Sequence, residues 1–303
     1  MKKKYEFTGE TKNWLGITLH RIKSLVQIET KLGTVGIGDL GGWLEKEDNL
    51  SHEGDAWVCG DAVVCGNAEV YGDAVVYGDA EVYGDAVVCG NAEVYGNAEV
   101  YGDAVVYGDA VVCGNAEVYG DAEVYGDAVV YGDAEVYGDA KVCDNAEVYG
   151  DAEVWGSARV CGDAVVCGNA EVYGDAKVCD NARVYGDAEV WGSAKVYGDA
   201  KVCDNARVYG DAEVWGSAKV CGYAKVSKSS HILVVGPLGS RGGFTTFVRT
   251  KNGRILVSCG CFLGSIDEFL DKVKETHGDS KYAKEYRAAA ELAKIHIELE
   301  DTE

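Results

Sequence analysis

Apolar positions fall in a fixed six-residue rhythm from Gly54 to Ser227, written Gly-Asp/Asn-Ala-x-Val-Tyr/Cys/Trp. Twenty-nine such words follow one another without a break. Ala and Val stand two apart, as at Ala74 and Val76. In extended chain, residues two apart share a face. The residue between them is Glu, Val, Lys or Arg, so that position faces out, and the Tyr, Cys or Trp after Val has the same parity. Gly-Asp, Gly-Asn, Gly-Ser or Asp-Asn closes each word, and such pairs make tight turns. Each word is thus a short strand with a corner. One strand cannot bury its apolar face alone, whereas stacked coils can. Three words per coil predict a three-sided prism of nine to ten coils, rising about 4.8 Å per rung.

Outside the repeat the pattern changes. The head, residues 1–53, reads as short strands around Ile17 to Ile22 and Leu25 to Ile28, forming a β-rich cap. The tail, residues 228–303, reads as α+β. HILVVG is a strand, and FTTFVRT and RILVSCGCF form a hairpin around Asn252-Gly253. Ser265 and Glu268 form a capping box opening a helix to about Glu275, and a second helix runs from about Lys281 to Glu298. Both ends of a parallel β-helix need covering; the head covers one, and the tail either covers the other or forms a domain of its own. Gly36-x-Gly38-x-x-Gly41 has no helix after it, so it reads as turns rather than a dinucleotide loop.

The repeat resembles the hexapeptide repeat of left-handed parallel β-helices, and the handedness is implied by that resemblance alone. Gly41-Gly42-Trp43 and Leu50-Ser51-x-x-Gly54-Asp55-x-Trp57 resemble the approach to the β-helix in the YdcK-like, acetyltransferase-like bacterial family. The tail, through GPLGSRGG, SCGCF and HGDSKYAKEY, is similar to modules on prophage-type proteins of Gram-positive bacteria. The expected fold is mainly β: a single-stranded left-handed parallel β-helix, a β-rich N-terminal cap and a small α+β C-terminal domain.

Charge alters the picture. The net charge is −23, and the repeat, with 32 acids against 9 bases, carries all of it. Residues 54–140 hold 18 acids and no base. Such a field keeps the chain soluble and disfavours nucleic acid as a partner. The lysines at 2 to 4 have no apolar run behind them, and no stretch is long enough to span a membrane. A cytoplasmic protein is expected. Ten of the twelve cysteines take the outward slot. Cys143, Cys161 and Cys179 recur at one-coil spacing, as do Cys203 and Cys221, within disulfide reach on adjacent coils. Most have no such neighbour, so the array cysteines read as free thiols of a reducing compartment.

Candidate chemistry is sparse. Residues 173–196 and 197–220 are identical, so the array grew by four words while a coil uses three. Each copy therefore turns by one face, which scatters any column of functional side chains. One column escapes: Tyr83, Tyr101, Tyr119, Tyr137, Trp155, Tyr173, Trp191 and Tyr209 fall on one face as an aromatic ladder. Such a ladder could contact a sugar, a peptide or a sister molecule. Corner aspartates such as Asp85, Asp103 and Asp121 satisfy turn chemistry and lack the bidentate Glu of a calcium site. In the tail, Cys259 and Cys261, expected on one strand face, His277 and Arg241 are weak candidates for metal, nucleophilic or anion chemistry. No metal and no cofactor is expected.

Hexapeptide β-helices are best known as acyltransferases with a histidine base. No histidine lies between His52 and His231, and no loop interrupts the words. The expectation is a non-catalytic scaffold or interaction protein with a protein partner or self-association, including a homo-oligomer. The tail would be its specific binding element, in a phage or mobile-element setting. Acyl transfer and ligand or cation sequestration are the alternatives.

Overall fold

The structure is a computed structural model and describes residues 3–299. It divides into two compact units, Met1–Gly162 and Asp163–Glu303. Both contain parallel β-solenoid, roughly ten turns in sum.

In the first unit, strands pair in register from each coil to the next. Val64 pairs with Val82, Val82 with Val100, Val100 with Val118, and Val118 with Val136. The Ala and Val of each word are fully buried, which is the inside face that the six-residue pattern demands. Burial of small, regular side chains on all three walls supplies the main stabilisation of the coils. The corner glycines adopt positive φ, for example +71° at Gly120 and +76° at Gly126. A Cβ added at Gly120 would stand 3.0 Å from the Gly138 nitrogen, so backbones of successive corners touch.

Coil geometry begins ahead of the first regular word. After the antiparallel pair β1 (Tyr5–Trp14) and β2 (Ile17–Ser24), and the small hairpin β3 (Ile28–Thr30) and β4 (Gly33–Val35), strand β5 (Leu40–Leu44) pairs antiparallel with β2. On its other edge β5 runs parallel, Trp43 opposite Val63 and Leu44 opposite Val64. Leu50 then bridges Val70, and Trp57 pairs with Val75. The head thus supplies part of an opening coil as well as its cover. Side chains finish the exposed edge. Lys4 Nζ donates to the carbonyls of Gly54 and Ala56, at 3.2 and 2.8 Å. Asn49 Nδ2 donates to the Gly66 and Ala68 carbonyls, and the Tyr5 hydroxyl donates to those of Glu47 and Leu50.

In the second unit the coils run through the same register, Val172 to Val190 to Val208 to Val226. The tail is an antiparallel sheet, Ile232–Leu238, Gly243–Arg249, Ile255–Cys259 and Phe262–Ser265, with helices α1 (Ile266–His277) and α2 (Lys281–His296) packed on it. Phe247, Val257, Phe269, Ala290 and Ala293 form its core. Ser265 and Glu268 make the expected capping box.

The tail closes the last coil. Ala224 bridges Thr250, Thr246 Oγ1 accepts from Lys219 N at 2.9 Å, and Lys251 N donates to the Tyr223 carbonyl. Buried His231 joins the two parts, with Nδ1 3.2 Å from Ser227 Oγ and Nε2 3.0 Å from Arg249 Nη1.

Two sequence expectations need correction. Cys203 and Cys221 are joined in a disulfide rather than standing as free thiols. Stacking of successive coils brings them to a Cα separation of 4.6 Å, within bridging range. Cys259 and Cys261 do not share a strand face. Cys259 pairs with Phe262, so Gly260 and Cys261 form the turn of a tight hairpin, with Gly260 at φ +60°.

Candidate functional site

The aromatic column is present in each unit. In the first, Tyr83, Tyr101, Tyr119 and Tyr137 stack with centroids 4.8 to 4.9 Å apart and interplanar angles of 3° or less. Trp155 continues the stack at 6.0 Å from Tyr137. In the second, Tyr173, Trp191 and Tyr209 stack at 5.7 and 4.6 Å. The spacing is close to the rung spacing, so in-register pairing of coils forces ring on ring.

The hydroxyls are also engaged. Tyr83 donates to Glu99, Tyr101 to Glu117, Tyr119 to Glu135 and Tyr137 to Glu153, at 2.7 to 3.0 Å. Burial, and then the bond to Glu, pushes the Tyr83, Tyr101 and Tyr119 phenols well above the ordinary tyrosine range. The rings are half-buried and show their edges to solvent, because their faces lie on one another. The cap covers one end: the Trp14 ring lies 5.8 Å from that of Tyr83 and its indole donates to Glu81, while Lys12 and Arg21 sit over the Trp43 ring.

The opening coil carries a groove of about 920 Å³ lined by Lys46, Glu47, His52, Asn67, Glu69 and Asp85. His52 lies beside this coil. Its Nδ1 accepts from the Lys4 amide at 3.2 Å, its ring lies 4.4 Å from the Tyr5 ring, and its Nε2 is buried. Burial lowers its pKa, with Glu47 opposing. The imidazole borders the groove with its ring, while Nδ1 is bonded to the Lys4 amide and Nε2 is buried.

In the tail, Cys259 and His277 line one small cavity of about 110 Å³ with Phe262, Phe269 and Tyr286. Thr245 Oγ1 donates to Cys259 Sγ at 3.2 Å, and the His277 ring lies 5.7 Å from Tyr286. Cys261 and Arg241 are exposed and do not line it. The structure therefore brings together two of the four tail candidates.

The spacing of Cys143 and Cys161 was legible in the sequence, yet their partner Asp144 was missed. Asp144 replaces a corner glycine at φ +61° and places its carboxylate beside Cys143, 3.9 Å from Sγ. Burial pushes the Cys143 thiol up. The signal was there: Asp in a glycine slot, beside a cysteine whose counterpart in the next coil is also a cysteine.

Residues 98–114, which span one rung of the stacked tyrosines and its glycine corners, match the family model for the YdcK β-solenoid repeat. That stretch is similar to a YdcK β-solenoid repeat. No curated protein matches the chain. Family likeness thus rests on that one matched stretch of coil.

Proposed function

We propose that this chain is a non-catalytic repeat scaffold whose C-terminal α+β domain is the specific binding element. The observation that carries this reading is a contrast in surfaces. Along the coils many outward side chains are spent on neighbours, ring on ring, hydroxyl on Glu, and Asn on Asp as in Asn91 to Asp109, with Tyr71, Trp215 and Tyr223 left exposed as single side chains. On the tail, α2 leaves Leu292 and Ile295 exposed, Ile295 by 83%, with Leu299 beyond it. Apolar side chains grouped on one helix face suit a protein partner or a second copy of the chain. The tail's resemblance to prophage-type modules supports a mobile-element setting, and the acidic coils suit a soluble spacer in the cytoplasm.

The test is Ile295→Asp in the full-length chain, followed by sedimentation velocity and affinity capture against the host proteome. Wild type is expected to self-associate or hold a defined partner, and the variant to lose it with an unchanged melting temperature. Retention of the complex by the variant would remove the tail from the role.

Acyl transfer is the second reading, resting on fold likeness alone. His52 is closed into the cap, so titration of acetyl-CoA into the protein is expected to give no saturable heat. Saturable binding would reopen it.

A further inference from the structure

The word Val-Cys-Asp-Asn-Ala places Asp at a corner where other words have Gly. Asp144 and Asp204 hold φ of +61° and +59°, and each carboxylate reaches across to the following coil. Asp144 Oδ2 accepts from Gly162 N at 3.1 Å, and Asp204 Oδ2 from Gly222 N at 3.0 Å. In both cases the residue one coil after the cysteine is another cysteine, Cys161 after Cys143 and Cys221 after Cys203. The ligand atoms of Cys143, Asp144 and Cys161 all lie within 4.8 Å of one another, and those of Cys203, Asp204 and Cys221 do the same. The cell is therefore built twice, once in each unit. In the second the sulfurs are bonded to each other, whereas no disulfide joins Cys143 and Cys161.

The dimensions suit a metal. A tetrahedral zinc-class ion with sulfur at about 2.3 Å and carboxylate oxygen at about 2.0 Å requires S···O near 3.5 Å and S···S near 3.8 Å. Cys143 Sγ already stands 3.9 Å from Asp144 Oδ2, and with every separation inside 4.8 Å closure onto an ion needs shifts of about 1 Å. The Asp144 carboxylate is positioned by the Gly162 amide, which is the kind of outer hydrogen bond that orients a metal-binding carboxylate. Thiolate with carboxylate is also the donor set that selects a borderline-soft ion over calcium or magnesium.

We propose that Cys143, Asp144 and Cys161 form a binding site for a divalent cation of the zinc class, linking two successive coils. Binding releases the two thiol protons, and the ion takes two thiolates, one carboxylate oxygen and a water. No oxidation state changes.

The probe is cadmium added to the full-length, chelator-stripped and reduced protein, followed by its thiolate charge-transfer absorbance, with zinc competition. The background is Cys203→Ser/Cys221→Ser, which removes the second cell. One equivalent of cadmium, displaced by zinc, is expected. Adding Cys143→Ser/Cys161→Ser should abolish the band. Asp144→Asn keeps a side chain that tolerates the corner and can accept the Gly162 amide, yet should weaken binding by at least about tenfold, since loss of even an outer partner costs that much. Cys179→Ser, one spacing further along the sequence, should leave binding unchanged. A metal-dependent rise in melting temperature, present in the background and reduced in Asp144→Asn, is the second readout and is independent of the thiolate band. No band in the background, a band that survives removal of Cys143 and Cys161, equal affinity in Asp144→Asn, or loss on Cys179→Ser would each overturn the proposal.

Discussion

At the corners, one residue decides how closely coils stack. Gly120 has φ +71°, and a Cβ there would press on the Gly138 nitrogen at 3.0 Å. Gly120→Ala is expected to cost about 1–2 kcal/mol from the left-handed backbone, with more from the contact. Gly120→Asp should cost less, because Asp144, Asp180 and Asp204 occupy such corners and accept an amide from the next coil. Chemical denaturation of the two variants side by side checks the order. This preference was only half readable. The Gly-Asp and Asp-Asn pairs announced a corner, but the carboxylate's reach to the corner above depends on the stacking of coils, which no local pattern contains. The same reason hid Asp144 as a neighbour of Cys161.

Elements were legible wherever the pattern was periodic. The Ala and Val of every word are buried, and α1 and α2 lie within a few residues of their expected spans, because capping and period are local signals. The Cys-x-Cys segment was misread because a two-residue turn around Gly260 looks like continuous strand in a run of apolar residues. The tyrosine column makes a pH prediction. The folded phenols of Tyr83, Tyr101 and Tyr119 lie above the ordinary value of 10.0, through burial first and the Glu bonds next. A raised folded pKa means the stabilisation is complete below pH about 10 and is lost as pH rises through the folded values. The melting temperature should therefore hold up to that pH and fall above it, with Tyr83, Tyr101 and Tyr119 ionising only as the coils open. Ultraviolet difference titration of wild type against the Tyr83→Phe, Tyr101→Phe and Tyr119→Phe variants isolates these three phenols, and a difference signal near pH 10 in the folded protein would contradict it. At the opening edge, Lys4→Met strands the Gly54 and Ala56 carbonyls that its ammonium now serves. A loss of about 1–3 kcal/mol is expected, read by urea melts.

For the molecule as a whole, the number of coils is a looser variable than their phase. Every column in the first unit repeats once per coil, so removal of 101–118, a single coil, leaves each wall in register. That deletion should lower the melting temperature only slightly and leave any tail-dependent complex intact. Deleting a single word also preserves the pattern but moves every later residue to another wall, and it should break the tyrosine stack. Circular dichroism melts and the capture assay separate the two. The sequence showed this at once, since period and phase are linear properties. It could not show that the tail seals the last coil through Ala224, Thr246 and Lys251, because those contacts join segments with no shared pattern. The corner amides carry a further consequence. Asn97 donates to Asn115, which donates to Asp133, so neutral side chains separate carboxylates that would otherwise stand about one rung apart. Chemical ageing converts asparagine to aspartate. Each such event here would erase a donor and set two negative charges face to face, so the molecule's shelf life is written into the same column that holds its corners together.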